Sequence, residues 1–80
     1  MPIEQVRLIL GDALGLGPLR LDEHAPLLGA VPELDSMAVA GVIAALEQHF
    51  GIEVHDDEIS AQHFATLGSL SAFVRGKLSP

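Results

Sequence analysis

Eighty residues and 8.4 kDa describe one small domain spanning residues 1–80. A chain this short buries only about 60% of its unfolded surface and keeps a net stability on the order of 4–12 kcal/mol. It has no room for a deep cleft walled by two domains, so a self-contained enzyme is not expected. Eleven acidic against four basic residues give a formal charge of −7, which excludes nucleic acid and anionic membrane surfaces as partners, since both are bound through clustered Lys and Arg.

Cysteine is absent, which removes a disulfide framework, a thiolate metal site and a cysteine nucleophile. The start, Met1-Pro2-Ile3-Glu4-Gln5, lacks the basic and apolar stretches of a secretion signal. No apolar run approaches the roughly 20 residues needed to span a bilayer. The expectation is a cytoplasmic protein without membrane insertion.

Pro2 suits the first turn of a helix. Ile3, Val6, Leu10, Ala13 and Leu14 then share one face, with Glu4, Arg7, Gly11 and Asp12 toward solvent, until Gly15 and Gly17-Pro18 stop the helix. From 15 to 35 no period persists, yet Leu16, Leu19, Leu21, Leu27, Leu28 and Val31 recur among three prolines. A segment so rich in leucine reads as a loop laid across the core rather than a disordered linker.

Asp35 offers an N-cap to the next helix. Val39, Val42, Ile43, Leu46 and Phe50 form its buried stripe, and Gly51 suits a left-handed cap. The opposite face holds Met37, Gly41, Ala44, Ala45 and Gln48, small and uncharged for so acidic a protein. Asp56-Asp57-Glu58 before Ile59 is expected to open a short helix. Thr66 caps the last one, with Leu67, Leu70, Val74 and Leu78 inward, Phe73 beside them, and Arg75 and Lys77 near its negative end. The predicted fold is all-α, a small bundle of three main helices and one short helix with a long first loop.

The chemistry sits at Leu34-Asp35-Ser36-Met37. Ser36 lies about 60° from the centre of the buried stripe, so its hydroxyl should reach solvent. A helix start presents free amides and partial positive charge, a favourable seat for phosphate. No base accompanies the serine, because His49 lies several turns along the same helix. Ser36 is therefore a poor autonomous nucleophile and an acceptor for a group that another enzyme attaches. Taken alone, Asp35 and Ser36 are ordinary capping residues.

Over residues 6–74 the chain resembles the acyl carrier protein family of phosphopantetheine-binding domains. The likeness rests on Asp35-Ser36-Met37, on Leu46-Glu47-Gln48-His49-Phe50-Gly51-Ile52, and on Phe64-Ala65-Thr66-Leu67-Gly68-Ser69-Leu70. It implies a four-helix bundle with a long first loop and 4′-phosphopantetheine carried on Ser36. A phosphopantetheinyl transferase would install the group from coenzyme A. An acyl-loading ligase or transferase and a downstream acyltransferase or synthase would then use its thiol. The expected protein is a monomeric carrier, not an enzyme, serving fatty-acid, polyketide or polysaccharide-linked synthesis. Through Gly29-Ala30-Val31-Pro32-Glu33-Leu34-Asp35-Ser36-Met37 it also resembles carriers found beside exopolysaccharide and exosortase systems.

Two departures from the family pattern stand out. Glu33 replaces the glycine three residues before the serine, so the turn into the helix must form without glycine's freedom. Ala38 and Gly41 replace acids that fatty-acid carriers place two and five residues after it. Glu47, Glu53, Asp56, Asp57 and Glu58 remain, and with Met37, Gly41 and Ala44 they make the expected docking surface, dedicated to particular partners. The alternative is an unmodified helical adaptor using the same surface. Neither the four histidines nor Asp56-Asp57-Glu58 has metal-ligand spacing, so no metal site is expected.

Overall fold

The computed structural model describes residues 2–17 and 19–79; Pro18, one of the predicted helix stops, lies outside the described residues. Three α-helices, α1 (Ile3–Ala13), α2 (Ser36–Phe50) and α3 (Leu67–Leu78), pack with one short 3-10 helix at Ala61–Phe64. The all-α bundle with its long first loop is as the periodicity predicts. No helix among the described residues is long and apolar enough to cross a membrane. The core joins Val6 and Leu10 of α1, Val42 and Leu46 of α2, Leu67, Leu70 and Val74 of α3, and Leu27, Leu34 and Phe64 from between the helices.

On α1 the predicted faces need correcting. Gly11 is buried, while Ala13 is exposed. The chain folds back over the Gly11 side, where the Leu16 amide donates to the Gly11 carbonyl at 2.8 Å. A β-carbon on Gly11 would collide with the carbonyl oxygen of Gly17. Arg7 is not free in solvent either: its Nε donates to the Leu21 carbonyl at 2.7 Å, and Nη1 pairs with Glu4 at 2.9 Å.

The first loop does lie across the core, but selectively. Leu27 is wholly buried, Leu19, Leu21 and Val31 pack at the margin, and Leu16 and Leu28 are exposed. Residues 23–28 run beside 64–68, with Leu27 and Leu28 amides donating to Ala65 and Phe64 at 2.9 and 3.0 Å, and Leu67 and Gly68 amides donating to Ala25 and Glu23 at 3.1 and 2.7 Å. The close approach at Gly68 requires glycine, since a β-carbon there would stand 2.7 Å from the Glu23 carbonyl oxygen.

The acidic run does not open the short helix. Glu58 instead turns back to accept the His55 amide proton at 2.8 Å, which spends these residues in a turn. The helical turn begins only after Ser60, whose amide donates to His63 Nδ1 at 3.0 Å. On α3, Thr66 caps as expected, accepting from Ser69 at 3.0 Å. Leu78 is in line with Leu67 but 46% exposed, because the last turn runs past the core; Ser71 is buried instead.

Candidate functional site

Asp35 is extended (φ −97°, ψ −176°), and its Oδ1 accepts from the Ala38 amide at 2.8 Å while its carbonyl accepts from Val39 at 2.9 Å. The carboxylate is thus committed to ending the loop and starting α2, the ordinary work of an N-cap. Ser36 is the first helical residue and is exposed. First-turn amides have no intrahelical acceptor, and the helix macrodipole adds partial positive charge there. An anionic group on Ser36 Oγ would sit where it is electrostatically favoured.

The turn into α2 forms without glycine at Glu33. Among the described residues no non-glycine has positive φ; the left-handed step falls earlier, at Gly29 (φ +88°). The Ala30 and Val31 amides then close onto the Leu27 carbonyl, and the Leu34 amide onto that of Val31. The missing glycine is therefore no obstacle to presenting Ser36.

Ser36 opens onto a cleft of about 370 Å³ lined by Leu28, Val39, Ile59, Ser60, Ala61 and Phe64. Four of these side chains are large and apolar, so the cleft suits an uncharged chain lying beside the serine. A second depression of about 410 Å³, lined by Leu8, Ile9, Asp12, Gly17 and His49, contains no hydroxyl or thiol and does not include Ser36. His49 stacks edge-on against Phe50 with centroids 4.8 Å apart. Thirteen residues of helix put it roughly 20 Å along the axis from Ser36, too far to act as its base. His63, near the Ser60 side of the cleft, already has Nδ1 engaged by the Ser60 amide.

Of the expected docking residues, Met37 (84% exposed), Gly41 and Ala44 share the outer face of α2, spaced i, i+4, i+7. Ala45, expected beside them, is half-buried. Glu53, Asp56 and Asp57 are exposed in the connection after α2, with Glu53 Oε1 3.7 Å from His55 Nε2. Glu47 is half-buried and accepts from the Val54 amide at 2.9 Å, so its carboxylate closes the turn after α2. Sequence reading missed the cleft-lining Leu28, Ile59, Ser60 and Ala61. The signal available was an exposed leucine in the first loop and an isoleucine directly after the acidic run.

Comparison with curated protein sequences gives no match. Among solved structures, the chain is similar to a holo acyl carrier protein from Nitrosomonas europaea, with 58% identity over 100% of this chain and 99% of that one and a TM-score of 0.91. A holo acyl carrier protein from Geobacter metallireducens shares the fold, with 23% identity over 98% of this chain and 87% of that one and a TM-score of 0.79. The family profile for the phosphopantetheine attachment site matches residues 4–74, and the chain belongs to that family.

Proposed function

We propose that Ser36 is the attachment residue of this acyl carrier protein, and that residues 1–80 form one carrier domain. The observation that carries the assignment is an exposed hydroxyl at the first position of α2, beside an apolar cleft. 4′-Phosphopantetheine fits there. Its phosphate would meet the positive end of α2, and Leu28, Val39 and Phe64 offer apolar contact to the remainder of the arm. The arm supplies a terminal thiol that holds an acyl group as a thioester. The chain's own residues present the serine, through the Asp35 cap, and shelter the neighbouring space. The family match and the likeness to a holo acyl carrier protein support a carrier rather than an enzyme, with the chemistry belonging to its partners.

Those partners are a phosphopantetheinyl transferase, the ligase or transferase that loads the thiol, and the acyltransferase or synthase that unloads it. Met37, Gly41 and Ala44 form the contact face, where small side chains permit close approach. Glu53, Asp56 and Asp57 steer a basic partner toward it. Glu47, held by Val54, contributes mainly to the fold of the adjoining turn.

The test is intact mass after incubation with coenzyme A, magnesium and a broad-specificity phosphopantetheinyl transferase, with wild type and Ser36→Ala side by side. The expected result is one phosphopantetheine on wild type and none on the variant. Loading of both proteins would move the site elsewhere. Absence of loading on folded wild type, together with an unmodified protein from the native host, would favour the adaptor.

A further inference from the structure

The two sides of the Ser36 cleft are fastened by different means. The Leu28 side is tied by main-chain hydrogen bonds to residues 64 and 65. The opposite side, residues 59–61, comes directly after Glu58, whose two carboxylate oxygens are both engaged: Oε2 by the His55 amide at 2.8 Å, and Oε1 by Lys77 Nζ at 2.6 Å. Lys77 stands on the last turn of α3, nineteen residues away, so this ion pair ties the residue before the wall to α3, alongside the packing of Ile59 on the core and the bond from Ser69 Oγ to the His63 carbonyl at 2.9 Å. Both side chains are largely shielded, at 29% and 26% exposure. The lysine contact and the His55 amide hold the Glu58 carboxyl below its usual range.

We propose that Lys77 is a positioning residue for the Ser36 cleft, acting through Glu58 to hold Ile59 and its neighbours in place as the movable wall. This rests on the carrier reading only in that the cleft shelters the group attached at Ser36. A main-chain ladder is costly to open, since each freed amide and carbonyl must find a new partner. A side-chain pair can exchange its partner for water while the backbone around it stays intact. The cleft therefore widens from the Glu58 side, and the Leu28 side is the fixed reference.

The experiment is amide hydrogen exchange on the unmodified protein by NMR, comparing wild type with Lys77→Met and Lys77→Arg. In Lys77→Met, exchange at His55, Ile59 and Ser60 should accelerate roughly three- to tenfold. Leu27 and Leu28 should not change, and Lys77→Arg, which keeps the cation, should restore wild-type rates. A second readout is hydroxylamine cleavage of a short acyl thioester on the loaded protein, expected roughly threefold faster in Lys77→Met and unchanged in Lys77→Arg. Unchanged exchange at 55–60, equal acceleration at Leu27 and Leu28, or failure of Lys77→Arg to rescue would overturn the proposal. Faster exchange without faster cleavage would overturn the link to the cleft. Should wild type gain no phosphopantetheine, the carrier reading fails by mass while the exchange rates still decide the wall.

Discussion

Two connections flank α2, residues 14–35 before it and 51–66 after it, and most of their lengths are secured by different means. The longer one is the more firmly held. It buries Leu27 completely and runs its backbone along the start of α3, with an antiparallel bridge between Pro26 and Thr66. The shorter one shares those main-chain bonds only at its end, where Phe64 is buried, and over residues 52–63 it relies on carboxylates and an imidazole: Glu47 on Val54, Glu58 on His55 and Lys77, and His63 on Ser60. Length alone is thus a poor guide to mobility. Loop closure costs grow slowly with length, and the deciding factor is whether the segment's own groups are buried and paired.

Substitutions that attack the first connection should do the most harm. Leu27→Ala removes a fully buried side chain and should cost about 2–5 kcal/mol, read from the urea midpoint. That is a large share of the stability of so small a domain. Gly68→Ala forces a β-carbon to 2.7 Å from the Glu23 carbonyl oxygen and should cost about 1–3 kcal/mol as backbone is pushed apart. A Gly68→Ala protein as stable as wild type would mean that the first connection is looser than its hydrogen bonds imply.

At the junction of the first connection with α2, Asp35→Ala should cost about 1 kcal/mol by leaving the Ala38 amide without its acceptor. Asp35→Asn should recover most of that loss in thermal unfolding. Ser71 gives a contrast of sign. Its Oγ is buried with no hydrogen-bond partner among the described residues, so Ser71→Ala should stabilise the protein, by about 1 kcal/mol, because an unsatisfied buried hydroxyl is removed.

The second connection should show the smallest effect and the clearest pH dependence. Glu58 has a folded pKa below its ordinary value of 4.5, caused first by the hydrogen bond from Lys77 and then by the His55 amide. A depressed folded value stabilises the native state above the unfolded pKa, and that stabilisation is lost as pH falls through the folded value. Wild type should therefore exceed Glu58→Gln in denaturation midpoint at neutral pH, with the gap closing below pH 4.5. A gap that persists at lower pH would assign the difference to packing rather than charge.

Periodicity and end signals in the sequence locate the helices well. The capping pattern of Asp35 and Thr66 and the left-handed step at Gly51 (φ +66°) act locally, through atoms a few residues apart. The errors occur where a distant segment decides. The α1 wheel turns Gly11 away from the apolar stripe, yet the returning chain covers it. The α3 wheel turns Leu78 inward, yet no element extends far enough to cover it.

The candidate site divides along the same line. Ser36, its exposure and its place at a helix start are legible, because helix phase and capping are properties of a dozen adjacent residues. The cleft beside it is not, since Leu28, Val39 and Ile59 come from three separate stretches of chain. The different natures of its two sides, and the engagement of Glu47 and Glu58 in holding the second connection, are equally out of reach. By itself the sequence determined the all-α class, the placement of the three long helices and an exposed serine at the start of α2. Only the tertiary structure decided what surrounds that serine, because a cleft is made by pairings between residues that no local period or propensity relates.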